Sequence, residues 1–215
     1  MNKIIAILIS VLLLTCCRHK YDIPVCSVTE DRVAFQDGFE ESDSVILSGL
    51  ADAYGADQIY LVFHTDATYK GREFEGPDEI NQFFKNHYGW RSPGYIEWLD
   101  RDCEWHQLKS FNIDCVIEPW EISNGARGYN TIAVHLAYSS SLRMWNTGDD
   151  TRTDCMKDAI ADRVKLYKSI CPNVKVIGHR DLSPDLNGDG IITSNEFTKT
   201  CPNFDVAKEY KHLLE

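Results

Sequence analysis

Basic residues are scarce in this 215-residue chain: Lys and Arg number 22 against 33 Asp and Glu, for a formal net charge of −11. Phosphate recognition normally needs a basic face, so a nucleic-acid partner is not expected. Past residue 14 the chain has no apolar run long enough to cross a bilayer. Internal repeats and low-complexity tracts are also missing, so neither a solenoid nor a biased tail is indicated. Hydrophobic residues make up 43% and charged residues 26%, an ordinary globular balance that excludes wholesale disorder. The length suits one domain of roughly 150–200 residues with a sizeable core.

The N-terminus reads as an export signal. Lys3 precedes an 11-residue apolar run, IIAILISVLLL at 4–14, which is short for a spanning helix. Thr15, Cys16 and Cys17 follow, and a small residue then cysteine after such a run resembles the lipobox of bacterial lipoproteins. Either Cys16 or Cys17 is then the acylated residue, and several acyl chains anchor a protein stably where one does not. The expected location is the cell envelope, facing the periplasm, with membrane contact only through the lipid. Export also makes disulfides possible. The expected organisation is a signal peptide with lipobox at 1–17, a tether and N-terminal extension at 18–57, and a folded domain at 58–215.

Within that domain the residue pattern predicts strands at 58–63, 95–99, 103–108, 113–118, 131–138 and 173–177. Pro77 opens a helix, Asp78 and Glu79 occupy its first turn where the helix dipole favours anions, and Gly89 stops it. A longer amphipathic helix is predicted over 152–170, with Met156, Ile160, Val164, Tyr167 and Ile170 on one stripe, and a short one over 205–214. Strands mixed with well-separated helices predict an α/β sheet covered by helices.

Two histidines stand at strand ends, His64 in FHTDAT and His179 in IGHRDL, and Cys201 follows in KTCPNFD. Imidazole and thiolate are good zinc ligands, and two His plus one Cys leave one corner of a tetrahedral site open to water. The spacing alone is no local zinc signature. It also fits a pair of histidines satisfied by backbone groups with a disulfide-bonded cysteine, or a cysteine peptidase using Cys201 with His179 as base.

Five pieces in order narrow the choice. FHTDAT, HYGWRSPGYIEW, RGYNTIAVHL, VIGHRDL and KTCPNFDV together resemble the zinc N-acetylmuramoyl-L-alanine amidases of the T7-lysozyme and peptidoglycan-recognition-protein family, from about residue 58 to 207. The resemblance implies a mixed central sheet flanked by helices, an amidase catalytic domain, and a peptidoglycan or muropeptide substrate cleaved between N-acetylmuramic acid and L-alanine. It implies Zn²⁺ held by His64, His179 and Cys201. Tyr95 and Lys199 fall on the catalytic positions, where they would stabilise a developing oxyanion or assist proton transfer. Tyr129 and Asn130 fall beside the substrate groove. Non-catalytic relatives lack the cysteine, so its presence here implies an enzyme; the alternative is a peptidoglycan-binding lipoprotein with a dead site. The chain departs from the family at Ile96, where histidine is frequent, and at His135, where a small or aliphatic residue is common and which reads as a sheet residue. The 101–130 stretch is also longer than in compact members.

Between His179 and Cys201 lies DLNGDGIITSNE, residues 185–196, a full-length EF-hand-type loop. Ca²⁺ would take oxygens from Asp185, Asn187, Asp189, the Ile191 carbonyl, Thr193 or its water, and Glu196, with Gly190 at the sharp turn. Calcium there would support the segment that delivers Lys199 and Cys201. Five further cysteines remain: Cys26, Cys103, Cys115, Cys155 and Cys171. Cys103 and Cys115 could join across a hairpin, whereas Cys155 and Cys171 sit at opposite ends of one helix and cannot bond to each other.

Overall fold

The computed structural model of the chain describes residues 59–66, 73–140 and 149–215. The expected signal peptide, the lipobox at Cys16 or Cys17, the tether and Cys26 lie outside the described residues. Strands β1 (Tyr60–Thr65), β2 (Glu97–Leu99), β3 (Trp105–Gln107), β4 (Ala133–Tyr138) and β5 (Lys175–Gly178) form one sheet in the order β3-β2-β4-β1-β5. β2, β4, β1 and β5 pair in parallel, and β3 runs antiparallel to β2. This is the mixed α/β sheet that was expected. No helix among the described residues is long and apolar enough to cross a membrane.

The sheet has two differently used faces, because side chains alternate along a strand. β4 is buried at all six positions, as a central strand covered on both sides must be. Leu61, Phe63, Val134, Leu136 and Tyr138 point one way, into a large core with helix α2 (Asp154–Ile170) and helix α3 (Val206–Leu214). α2 presents Met156, Ile160, Val164 and Tyr167 to it, all fully buried. Each buried aliphatic side chain there contributes about 1.5–3 kcal/mol relative to exposure. Trp98 and Ala137 point the other way, toward Ile80 and Phe84 of helix α1 (Pro77–Tyr88).

Local chemistry sets the helix ends. α1 starts on Pro77 with Asp78 and Glu79 in its first turn and stops at Gly89, whose φ of 68° is left-handed backbone that glycine adopts without strain. Thr153 caps α2, its hydroxyl accepting the Met156 N–H at 3.2 Å. Asp205 caps α3 through the Lys208 N–H at 3.0 Å. Arg152, buried just before α2, reaches Glu209 of α3 at 2.8 Å and Asp150 at 2.8 Å, tying the two helices' N-terminal turns.

Two expectations need correction. Residues 113–118 alternate like a strand but join no ladder. Their backbone is satisfied locally: Glu121 accepts the N–H groups of Asn112 at 2.7 Å and Glu118 at 3.2 Å, and Asp114 accepts that of Val116 at 3.0 Å. Cys115 itself has φ 72°, which breaks an extended run. Nor do Cys103 and Cys115 pair. Cys103 bonds Cys155 and Cys115 bonds Cys171, so the 103–115 stretch is bolted to both ends of α2. The hairpin closes before Cys115, since β3 ends at Gln107.

Candidate metal centre and groove

The parallel strands place their C-terminal ends along one edge, where open α/β sheets present ligand sites. Phe63 of β1 lies opposite Gly178 of β5, so the next residues, His64 and His179, become neighbours although 115 positions separate them. Their ring centroids are 4.6 Å apart. The Asp181 carboxylate accepts the Gly178 N–H at 2.8 Å and closes the turn that carries His179.

Cys201 is brought in by a tied loop. Its carbonyl accepts the Arg180 N–H at 2.6 Å, and its sulfur accepts the Thr65 N–H at 3.1 Å. The Cys201–Pro202 peptide is cis. Pro202 packs so closely on Gly178 that a Cβ there would stand 2.7 Å from the proline Cδ. Only glycine at 178 permits this approach between strand β5 and the cysteine loop.

One donor atom each from His64, His179 and Cys201 lies within 4.8 Å of the others, a spacing from which a single ion can be held. The environment favours neutral imidazoles, the form that ligates metals. Burial, followed by the proximity of His135 and His179, holds His64 well below the usual imidazole range. Burial and the nearby Lys199 ammonium lower His179 to about 4. Burial pushes the Cys201 thiol up to about 11, partly offset by its hydrogen bonds to Thr65. A second such group among the described residues, Asp100, Glu104 and His106, is a paired turn: His106 Nε2 lies 2.6 Å from Asp100, which also accepts the Glu104 N–H at 2.8 Å.

An open groove of about 810 Å³ runs past the cluster. The sequence-chosen residues Tyr95, Lys199, Tyr129 and Asn130 all line it, beside His64, His179 and Cys201. Tyr95 donates its hydroxyl to the Thr65 carbonyl at 3.2 Å, which puts the phenol beside Cys201. Burial raises that phenol well above its usual range. Asn130 turns its side-chain oxygen to the Ala126 N–H at 2.9 Å and so shapes the groove wall. Tyr129 rests edge-on against Tyr60.

Residues 185–196 are bonded to themselves. Asp185 accepts the N–H groups of Gly188 and Gly190, both at 2.7 Å; Asp189 accepts that of Ile191 at 2.8 Å; Glu196 accepts those of Leu186 at 2.9 Å and Thr193 at 2.7 Å. Asn187 accepts the Asp189 N–H at 2.9 Å. Gly190 takes the left-handed φ of 82° that the sharp turn needs. Among the described residues, these carboxylates do not form a group whose oxygens all lie within 4.8 Å of one another. The loop base is stitched by Ser183, whose hydroxyl accepts the Thr198 N–H at 3.0 Å, one residue before Lys199.

Two buried residues near the site carried no functional expectation. Asp66 accepts the Trp98 indole N–H at 3.3 Å and the Ser140 hydroxyl at 2.8 Å, and so braces the end of β1. His135 lies in β4, as expected of a sheet residue, and is not one of the clustered donors. It does hydrogen-bond His64, with Nδ1 and Nε2 3.0 Å apart. Alternation along β4 was the signal that could have found it, because His135 and His64 share a sheet face.

No family model matches the chain. An uncharacterized protein of Haemophilus influenzae is 34% identical over 86 residues, covering 40% of this chain and 74% of that protein. Among solved structures, bumblebee PGRP-SA superposes with TM-score 0.51 at 16% identity, covering 73% of this chain and 82% of that one. The N-acetylmuramoyl-L-alanine amidase LysC of Clostridium intestinale gives 0.51 at 14%, covering 74% and 85%. The Ph2119 endolysin of a Thermus scotoductus bacteriophage gives 0.52 at 15%, covering 74% and 86%. The chain therefore belongs to one family with the Haemophilus influenzae protein, and its mixed α/β sheet has the fold of N-acetylmuramoyl-L-alanine amidases and PGRPs.

Proposed function

We propose that the chain is a zinc-dependent N-acetylmuramoyl-L-alanine amidase acting on peptidoglycan or its muropeptides. The observation that carries this reading is the convergence of His64, His179 and Cys201 at the wall of an open groove. Two imidazoles and one sulfur match the donor chemistry of a zinc site with an open position. The shared fold of amidases and PGRPs supports a peptidoglycan-related activity or binding.

Bound zinc would supply a Lewis acid that polarises an amide carbonyl and activates water near neutral pH. The chain's own groups do the rest. The Thr65 N–H and the Arg180 N–H hold the Cys201 loop in place from both sides. Lys199 brings a cation to the groove beside His179, suited to an oxyanion that forms as the amide carbon becomes tetrahedral. Tyr95, kept protonated by burial, lies at the same place, and turning its O–H away from the Thr65 carbonyl would let it donate toward that oxygen or the leaving nitrogen. Tyr129 and Asn130 line the groove where the glycan or the stem peptide would lie.

Two disulfides support an oxidising compartment and hence export. The lipid anchor at Cys16 or Cys17 and the Ca²⁺ at 185–196 rest on sequence pattern. The loop would act as a brace for Lys199 and Cys201 rather than as a catalyst.

The deciding experiment measures zinc content of the purified chain and release of stem peptides from sacculi by mass spectrometry. Near-stoichiometric zinc, with peptide release lost on chelation and restored by zinc, is the expected result. Zinc without release would favour a binding protein. Release that survives zinc removal but not thiol alkylation would favour a cysteine peptidase. For the loop, a Ca²⁺-selective chelator should lower the melting temperature or the activity, and no change in either removes calcium from the account.

A further inference from the structure

His64 is held from behind by a second histidine. His135 and His64 occupy neighbouring parallel strands, with His135 opposite Val62, so both side chains leave the same face of the sheet. His135 is completely buried, and its Nδ1 is 3.0 Å from His64 Nε2. A second constraint comes from the 124–126 loop. A Cβ on Gly125 would stand 2.2 Å from Cγ and 2.5 Å from Nδ1 of the His135 ring. No real Cβ contact is that short, so the glycine is there to let the backbone lie against the imidazole.

We propose that His135 is a positioning residue: it accepts the Nε2–H of His64, fixes that ring's tautomer and angle, and leaves Nδ1 as the nitrogen His64 offers to a metal. The inference rests on the zinc reading above and deepens it. Two neutral imidazoles joined by one hydrogen bond share a single proton along that line. If His135 donated from Nδ1, His64 would accept at Nε2 and carry its own proton on Nδ1, where it would block a metal. Metal ligation by His64 therefore selects the opposite direction, with His135 protonated on Nε2. That nitrogen is buried and has no hydrogen-bond partner. A buried polar atom left unpaired is destabilising, and an apolar residue would fill this sheet position without that cost. The unpaired Nε2–H is the counterpart of an acceptor spent on His64. Partners of this kind orient ligating histidines, and their loss typically weakens metal affinity by about 10–100-fold.

The test uses two nearly isosteric substitutions in the full chain. Asparagine can present its amide oxygen near the place of Nδ1 and still accept from His64; leucine has the same shape and no acceptor. Zinc affinity is measured by competition with a chromogenic chelator, and the Co²⁺-loaded protein is compared by its visible ligand-field spectrum. The expected result is a 10–100-fold weaker zinc affinity and a shifted cobalt spectrum for His135→Leu, with His135→Asn within a few-fold of the unaltered chain. Equal affinity and equal spectra for the leucine and unaltered proteins overturn the inference and leave the zinc reading standing. An unaltered chain that binds no zinc overturns both. Should the leucine variant not fold, ring ¹⁵N spectroscopy of the unaltered zinc-loaded protein decides: His135 protonated on Nε2 sustains the proposal, and protonation on Nδ1 overturns it.

Discussion

The two faces of the sheet are built from alternate residues of the same strands, yet they are finished differently. The α2 face is closed: Leu61, Phe63, Val134, Leu136 and Tyr138 meet two helices, and a disulfide anchors each end of α2. The α1 face carries His64, His135, Trp98 and the small Ala137, and beyond α1 it opens into the groove. The comparison teaches that packing and chemistry are separated by side-chain parity rather than by position along the chain. Substitutions on one face should therefore leave the properties of the other nearly untouched.

The largest effect should come from the groove face. Cys201→Ser or His179→Ala is expected to abolish zinc binding and reduce peptide release from sacculi to background. The melting temperature of the metal-free protein should move little, and a collapse of the apo fold would show that parity does not separate the roles. On the closed face, replacing Cys115 and Cys171 together by serine should cost about 4 kcal/mol in denaturant unfolding, the scale for a loop of 56 residues. The zinc stoichiometry of the folded fraction should be unchanged. Ile160→Ala, which empties a fully buried site on α2, should lose about 2–5 kcal/mol with the same indifference at the metal. Urea titrations scored against zinc content would check both.

Glu97 is a polar exception on the closed face, and it sharpens the comparison. It is buried beside Arg163 of α2, 3.3 Å away, and burial raises its carboxyl from 4.5 to about 7. Between those values the folded chain keeps a proton that the unfolded chain has released, so stability falls as pH rises through the window. The loss, complete above it, amounts to roughly 3 kcal/mol at about 1.4 kcal/mol per pH unit. Glu97→Gln should remove this slope. Unfolding curves at pH 5 and pH 8 for both proteins measure it, and parallel behaviour of the two would refute the assignment.

The sequence was most readable where one local rule decided the structure. Pro77 and Gly89 bracket α1, and the apolar stripe marks α2. Residues 113–118 misled because Ile113, Cys115 and Ile117 alternate as a strand does, while Glu121, eight residues past Ile113, takes over the backbone donors. The disulfide pairing was equally illegible, since it depends on where α2 packs rather than on the hairpin. For the site, the donors were visible but their meeting was not. Parallel pairing of β1 and β5 brings His64 to His179, and no local spacing encodes that register. His135 was visible only as a departure; its partner became evident when two strands were laid side by side.

Pro202 against Gly178 has a consequence for how the molecule matures. The sulfur donor reaches the imidazoles only after β5 has docked on β1 and the segment behind it has folded back across both. Capture of an ion by all three ligands needs these tertiary contacts in place, so it is expected late in folding. Time-resolved uptake of a fluorescent metal reporter during refolding would then trail the burial of Trp98, and the site itself would serve as a gauge of completed assembly.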